Sequence, residues 1–274
     1  MECILVPCDF SASSEAAFQF AVSTARRSSG EIHVLYVIDI TFPRGKPSLA
    51  NSYAFDLDIF KELENESQKK FTTMRDTYAP GNMIVKFTHR VGSLNTEIED
   101  YIQAHEIDLV VMGTCGQGGA LIGSNTARVV RHSPVPVMAI HTPSEKDIHD
   151  IVLPVLPEYK HSDLVDHIKK LQRFFHARLH LLYVNTPLFF RSDRDAMGRL
   201  VDYAREFDIS NCTLNVRADY TIEEGIIHFS REVHADMIAM GTHGWTGVSH
   251  FLIGSVAEDV VNHLSIPVWT YRIR

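Results

Sequence analysis

The 274-residue sequence predicts an α/β protein made of two tandem doubly wound domains, each with a mainly parallel five-stranded sheet flanked by helices. Three observations predict it. The second half repeats the first: Cys3-Ile4-Leu5-Val6-Pro7-Cys8-Asp9 aligns with Asp150-Ile151-Val152-Leu153-Pro154-Val155-Leu156, and in the same register His33-Val34-Leu35-Tyr36-Val37 aligns with His180-Leu181-Leu182-Tyr183-Val184. Within each half, short apolar runs alternate with longer amphipathic stretches, which is the order of β-α-β units. The composition, 45% hydrophobic and 22% charged, belongs to a globular chain long enough to bury a core without disulfides or metals.

The repeat continues with Asp108-Leu109-Val110-Val111-Met112-Gly113-Thr114 against Asp236-Met237-Ile238-Ala239-Met240-Gly241-Thr242. It ends with Ile122-Gly123-Ser124 against Ile253-Gly254-Ser255 and Val135-Pro136-Val137 against Ile266-Pro267-Val268. The two units meet near residues 141–149, which divides the chain into domains 1–145 and 146–274. In the first, the apolar run 3–6 predicts a buried strand, and Ala16, Phe20, Ala21 and Ala25 at helical spacing predict a helix over 13–27. A strand follows at 32–38, and Leu63, Phe71 and Met74 between charges predict a helix over 61–74. Then come a strand at 83–88, a helix at 94–104, a strand at 109–113, a helix at 125–132 and a strand at 135–140. The second half repeats this order, with strands at 151–155, 179–185, 212–216, 237–241 and 268–271 and helices at 162–175, 197–207, 222–233 and 256–262. Such units bury both faces of a sheet and leave ligand loops at the carboxyl ends of the strands. The first half is longer mainly through residues 41–58, where Pro43, Gly45 and Pro47 mix with Phe42, Tyr53 and Phe55. This stretch reads as an irregular arm, either a tolerated surface insertion or a partner contact or lid.

Charge and cysteine usage exclude several functions. The net charge of -8 argues against a nucleic-acid partner, although 15 histidines keep the charge sensitive to pH near neutrality. No apolar stretch is long enough for a membrane span, and Met1-Glu2 leads into a short apolar run rather than a basic region and a secretory core, so no membrane partner and a cytoplasmic location are expected. Cys3, Cys8, Cys115 and Cys212 contain no C-x-x-C pair, so neither a disulfide framework nor a metal site is predicted. Cys8 and Cys115 both fall near carboxyl ends of strands, where they would form either a thiol or metal pair across the first crevice or ordinary core and turn positions.

The clearest ligand motif is Gly241-Thr242-His243-Gly244, then nine residues to Gly254-Ser255 and a helix from Val256. A strand end, a glycine-permissive turn and a helix start can aim several backbone N–H groups at phosphate oxygens, with Ser255 adding a hydroxyl. The same residues also suit a tight turn with Ser255 as a helix cap. The first half keeps Gly113, Gly116, Gly123 and Ser124, but only six residues separate Gly116 from Gly123. Asp9 follows its first strand, where it either meets a ribose or base or caps the next helix, whereas the second half has Leu156 there. Thr242, His243, Thr246 and His250 form no nucleophile-and-base spacing, and no Gly-Lys-Ser/Thr phosphate loop occurs, so no catalytic residue is assigned and slow hydrolysis is the enzymatic alternative.

Taken together, the Val6-Pro7-Cys8-Asp9-Phe10-Ser11 opening, the two Met-Gly-Thr strand ends, both Gly-Ser helix starts and both Val-Pro-Val or Ile-Pro-Val closing strands resemble the universal stress protein family in its tandem form. The resemblance implies a five-stranded parallel unit per domain, pairing of the domains through their last strands, and a role in stress adaptation. It also implies a division between members that bind ATP and members that do not. The ATP-binding pattern of Gly, two residues, Gly, nine residues, Gly and Ser or Thr falls on Gly241, Gly244, Gly254 and Ser255, while the family's acidic residue falls on Asp9. The expected function is therefore a stress-response protein holding ATP or a related adenine nucleotide in the second domain, with intramolecular domain pairing and a homodimer as further association. An interaction scaffold without nucleotide is the alternative.

Overall fold

The computed structural model describes residues 1–38, 57–114, 123–143, 146–242 and 253–273. In the first half the elements are β1 (Cys3–Pro7), α1 (Ala12–Ser28), β2 (Glu31–Ile38), α2 (Leu57–Tyr78), β3 (Val85–Val91), α3 (Leu94–His105), β4 (Leu109–Gly113), α4 (Ser124–His132) and β5 (Val137–Ile140). The second half has β6 (Asp150–Pro154), α5 (Ser162–Phe175), β7 (Arg178–Asn185), a 3-10 turn (Pro187–Phe189), α6 (Asp193–Glu206), β8 (Cys212–Ala218), α7 (Ile222–Glu232), β9 (Met237–Gly241), α8 (Ile253–His263) and β10 (Val268–Tyr271). Leu57 and Asp58, expected in the irregular arm, begin α2; the rest of that arm lies outside the described residues.

The strands are parallel within each half, as expected, but they do not form two separate sheets. They build one ten-stranded sheet in the order β3-β2-β1-β4-β5-β10-β9-β6-β7-β8, with β5 and β10 antiparallel. The reason is edge chemistry: β5 and β10 would each end a five-stranded sheet with a row of unpaired N–H and C=O groups, and each completes the other. Met138 faces Trp269 across this joint, and these are equivalent positions of the two repeats, so a pseudo-two-fold axis runs between them.

The repeat extends to individual hydrogen bonds. Asp108 Oδ2 accepts from the N–H groups of Glu2 and Cys3 at 2.7 and 3.0 Å, and Asp236 Oδ2 accepts from those of His149 and Asp150 at 2.9 and 3.0 Å. Each aspartate therefore ties the start of its domain's central strand to the neighbouring strand.

Period-two alternation sends Ile4 and Val6 to one face of the sheet and Leu5 to the other. On the first face α1, α2, α5 and α6 cover a single apolar cluster that crosses from one domain to the other through Met138 and Trp269. On the opposite face, α3 and α4 cover one cluster while α7 and α8 cover another. Arg27 of α1 reaches over the Phe175 ring of α5 with its guanidinium carbon 5.8 Å from the ring centre, and it also pairs with Asp147. No helix among the described residues is long and apolar enough to cross a membrane.

Candidate functional site

The sheet order places a crevice at the carboxyl edge of each domain. β6 and β9 are neighbours, but the chain leaves β6 into α5 on one face and re-enters after β9 as α8 on the other. β1 and β4, followed by α1 and α4, repeat this divergence. Neighbouring strands whose connections part in this way leave a gap where α/β proteins place ligands.

In the second domain Gly241 and Val256, widely spaced in sequence, line this gap together with Leu156, Tyr159, Tyr203 and Ile273. Gly254 and Ser255 fall in the first turn of α8. His243 and Gly244, with Thr246 and His250, lie outside the described residues. The Thr242 N–H donates to Tyr271 O at 2.9 Å and its buried hydroxyl lies 3.5 Å from the same carbonyl, so the polar groups of Thr242 are directed to β10. Thr114 repeats the backbone bond, donating to Ile140 O at 3.0 Å.

The two crevices differ in room and lining. That of the second domain holds about 60 Å³ and is walled mainly by apolar side chains. Burial pushes the Tyr203 hydroxyl up to about 12, so it stays neutral at physiological pH. A Cβ placed on Gly241 would stand 2.6 Å from Ile273 Cδ1 and 3.1 Å from Leu164 Cδ2, so the tail after β10 lies directly over the strand end. The first crevice holds about 230 Å³, and its lining mixes Pro7, Val37, Leu94 and Met112 with the polar residues Asp9, Ser11, Ser13, Asn125 and Thr126. There Asp9 Oδ1 accepts from the Ser11 N–H at 3.0 Å, and Ser11 rather than Asp9 is the α1 N-cap, accepting from Ser14 N. Ile273, Tyr159 and Tyr203 carry no motif signal, because spacing along the chain does not reveal where a tail or a helix face closes.

Cys8 is buried, with its Sγ 3.4 Å from Ser14 Oγ, and burial pushes its thiol up to about 11; Cys115 lies outside the described residues. The thiolate is the reactive form, so Cys8 is expected to resist alkylation in the native protein at about pH 8 and to react once the chain is denatured. Mass spectrometry of both samples checks this; equal labelling of Cys8 in the two would contradict its burial.

A doubly wound α/β protein with two repeated switch-point crevices and an internal two-fold joint is thus defined. The sequence profile of the universal stress protein family matches residues 1–141 and 148–272, and the chain belongs to that family. It is 24% identical over 297 aligned positions to universal stress protein Slr1230 of Synechocystis, an alignment covering 99% of this chain and 100% of the relative. Universal stress protein MJ0531 of Methanocaldococcus jannaschii is 28% identical over 148 positions, covering 52% of this chain and 84% of the relative. A universal stress protein structure from Archaeoglobus fulgidus superposes with a TM-score of 0.69 at 18% identity, covering 98% of both chains, and shares the fold.

Proposed function

We propose that this chain is a cytoplasmic stress-response protein that binds ATP or a related adenine nucleotide in its second domain, with the first domain structural or regulatory. The base would enter the apolar crevice beside Leu156, and the phosphates would meet the segment carrying Gly241, Thr242, His243, Gly244, Gly254, Ser255 and Val256. The observation that supports this reading is the meeting of Gly241 and Val256 in one switch-point crevice, at the strand end and helix start that a phosphate site needs.

Ligand pockets for molecules of this size usually measure about 300–1,000 Å³, against about 60 Å³ here. Nucleotide entry therefore requires the Ile273 side chain to withdraw from Gly241. Equilibrium titration with labelled ATP is expected to saturate in the wild-type chain, to weaken in Gly254→Val and to tighten roughly tenfold in Ile273→Ala, since a competing cover costs apparent affinity. Absence of saturable binding in both wild type and Ile273→Ala would overturn the proposal.

The apolar closure of this crevice favours a second reading, an interaction scaffold without nucleotide. Light scattering distinguishes them: an ATP-responsive assembly, including a homodimer of the whole chain, changes mass with nucleotide, and a passive scaffold does not. Weak hydrolysis would appear as phosphate release proportional to protein concentration and reduced in Gly254→Val.

A further inference from the structure

We infer that Cys3, Glu31 and His33 form a zinc site at the amino-terminal edge of the first domain's sheet, remote from both crevices. Strand register assembles it: β1 pairs with β2 so that Cys3 lies beside Glu31, and the period of two puts His33 on the same face as Glu31. Cys3 Sγ is 3.6 Å from His33 Nε2 and 3.7 Å from Glu31 Oε1, and those two atoms are 2.8 Å apart. Ligand atoms around a tetrahedral zinc, with bonds of about 2.0–2.3 Å, stand roughly 3.3–3.6 Å from one another. The two sulfur edges lie at or within about 0.1 Å of the long end of this range, and the nitrogen–oxygen edge needs to open by about 0.5 Å. Sulfur, imidazole and carboxylate together suit zinc rather than magnesium or calcium.

The surroundings orient the histidine. His33 Nδ1 lies 3.0 Å from the Tyr101 hydroxyl, which lies 3.2 Å from Thr88 Oγ1, and both rings are buried. An ionised Glu31 can only accept, which assigns the proton of a neutral His33 to Nε2 and leaves Nδ1 to accept from the Tyr101 hydroxyl. With the proton on Nδ1 instead, the imidazole donates to Tyr101 and turns the Nε2 lone pair toward Cys3 and Glu31. Lys86 Nζ, 2.8 Å from Glu31 Oε1 and 3.3 Å from His33 Nε2, holds a positive charge near the place a dication would take. Its side chain is 51% exposed and free to swing into solvent. On binding, the Cys3 thiol proton leaves to solvent, and thiolate and carboxylate together balance the dication. A solvent molecule completes the fourth position.

The second domain shows what the same frame does without such ligands. Asp150, Arg178 and His180 replace Cys3, Glu31 and His33, and Asp150 Oδ1 accepts from Arg178 Nε at 2.8 Å and lies 2.9 Å from His180 Nε2. A thiol has become a carboxylate and a carboxylate a guanidinium, so a fixed cation on the same strand pair closes that cluster.

The test is titration of the full, tag-free, reduced chain with Zn²⁺ against a chromophoric chelator, and with Co²⁺ followed by absorption. Wild type is expected to take up zinc at a Cys3-dependent site and to give a thiolate-to-cobalt charge-transfer band. Cys3→Ser should weaken that site by about 100-fold or more and abolish the band, and Tyr101→Phe should weaken it about tenfold. Lys86→Met, which removes the competing ammonium from an exposed position, should tighten it. Zinc uptake no greater in wild type than in Cys3→Ser, or a cobalt complex without the thiolate band, would overturn the inference. Should Cys3→Ser fail to fold, the wild-type cobalt spectrum and the direction of the Lys86→Met effect decide alone.

Discussion

Trp269→Ala is expected to destabilise the chain by about 3–5 kcal/mol, the range for truncating a fully buried tryptophan to alanine. Trp269 is 1% exposed and faces Met138, itself 0% exposed, across the only antiparallel pair of the described sheet. Its ring belongs to the cluster shared by helices of both domains, so a cavity there loosens the joint as well as one domain. The indole also carries a buried Nε1–H with no partner among the described residues. An unpaired donor of this kind costs about 1–3 kcal/mol, and Trp269→Phe removes it while keeping a ring in the core. The phenylalanine variant should therefore lose less than the alanine variant, since it leaves the smaller cavity and no unpaired donor. Urea unfolding followed by circular dichroism measures both. Because sheet and core run through both halves, wild type should unfold in one transition, and an alanine cost below about 1 kcal/mol would show that the joint tolerates the cavity.

Much of this architecture was legible in the residues. The two-fold repeat and the alternation of strand and helix depend on local periods, and the strands at 109–113, 237–241 and 268–271 have the bounds the apolar runs predict. Ends set by polar groups were less legible. α6 begins at Asp193 rather than 197 because Ser192 caps it, accepting from Asp195 N, and Asp193 and Asp195 fill the first turn before any apolar residue arrives. The first half's outer strand runs from Val85 to Val91 and includes Lys86, Thr88, His89 and Arg90, so its solvent-facing composition hides its length. The single sheet was not legible from periodicity, since pairing between β5 and β10 depends on how two finished units dock; only the family resemblance pointed to it. At the site, the strand-end glycine Gly241 and the helix-start residue Val256, far apart in sequence, share a crevice. The Cys3, Glu31 and His33 cluster was hidden because its members come together only through strand register.

Gly113→Ala and Gly241→Ala are expected to differ, although the two glycines are the same position of the repeat. A Cβ on Gly113 would meet the carbonyl carbon, carbonyl oxygen and Oγ of Ser13, each at 2.6 Å. Two of those atoms are backbone in the first turn of α1, so relief requires moving the helix against β4, at an overpacking cost of about 1–3 kcal/mol. On Gly241 the nearest obstacles are the ends of Ile273 and Leu164, flexible side chains, one of them in the tail beyond β10. Gly241→Ala should cost less than about 1 kcal/mol, within the range of an adjustable contact. Combining it with Ile273→Ala should cost less than the sum of the two single changes, because the second truncation removes the atoms the new methyl would strike. Thermal and urea unfolding of the four variants decide it. Equal losses for the two glycine variants, or strict additivity in the second domain, would mean that Ile273 is held as firmly as the α1 backbone. The expected inequality separates the two domains: the first domain's strand end is covered by helix backbone and the second domain's by side-chain ends, the kind of cover that the proposed nucleotide site needs to displace.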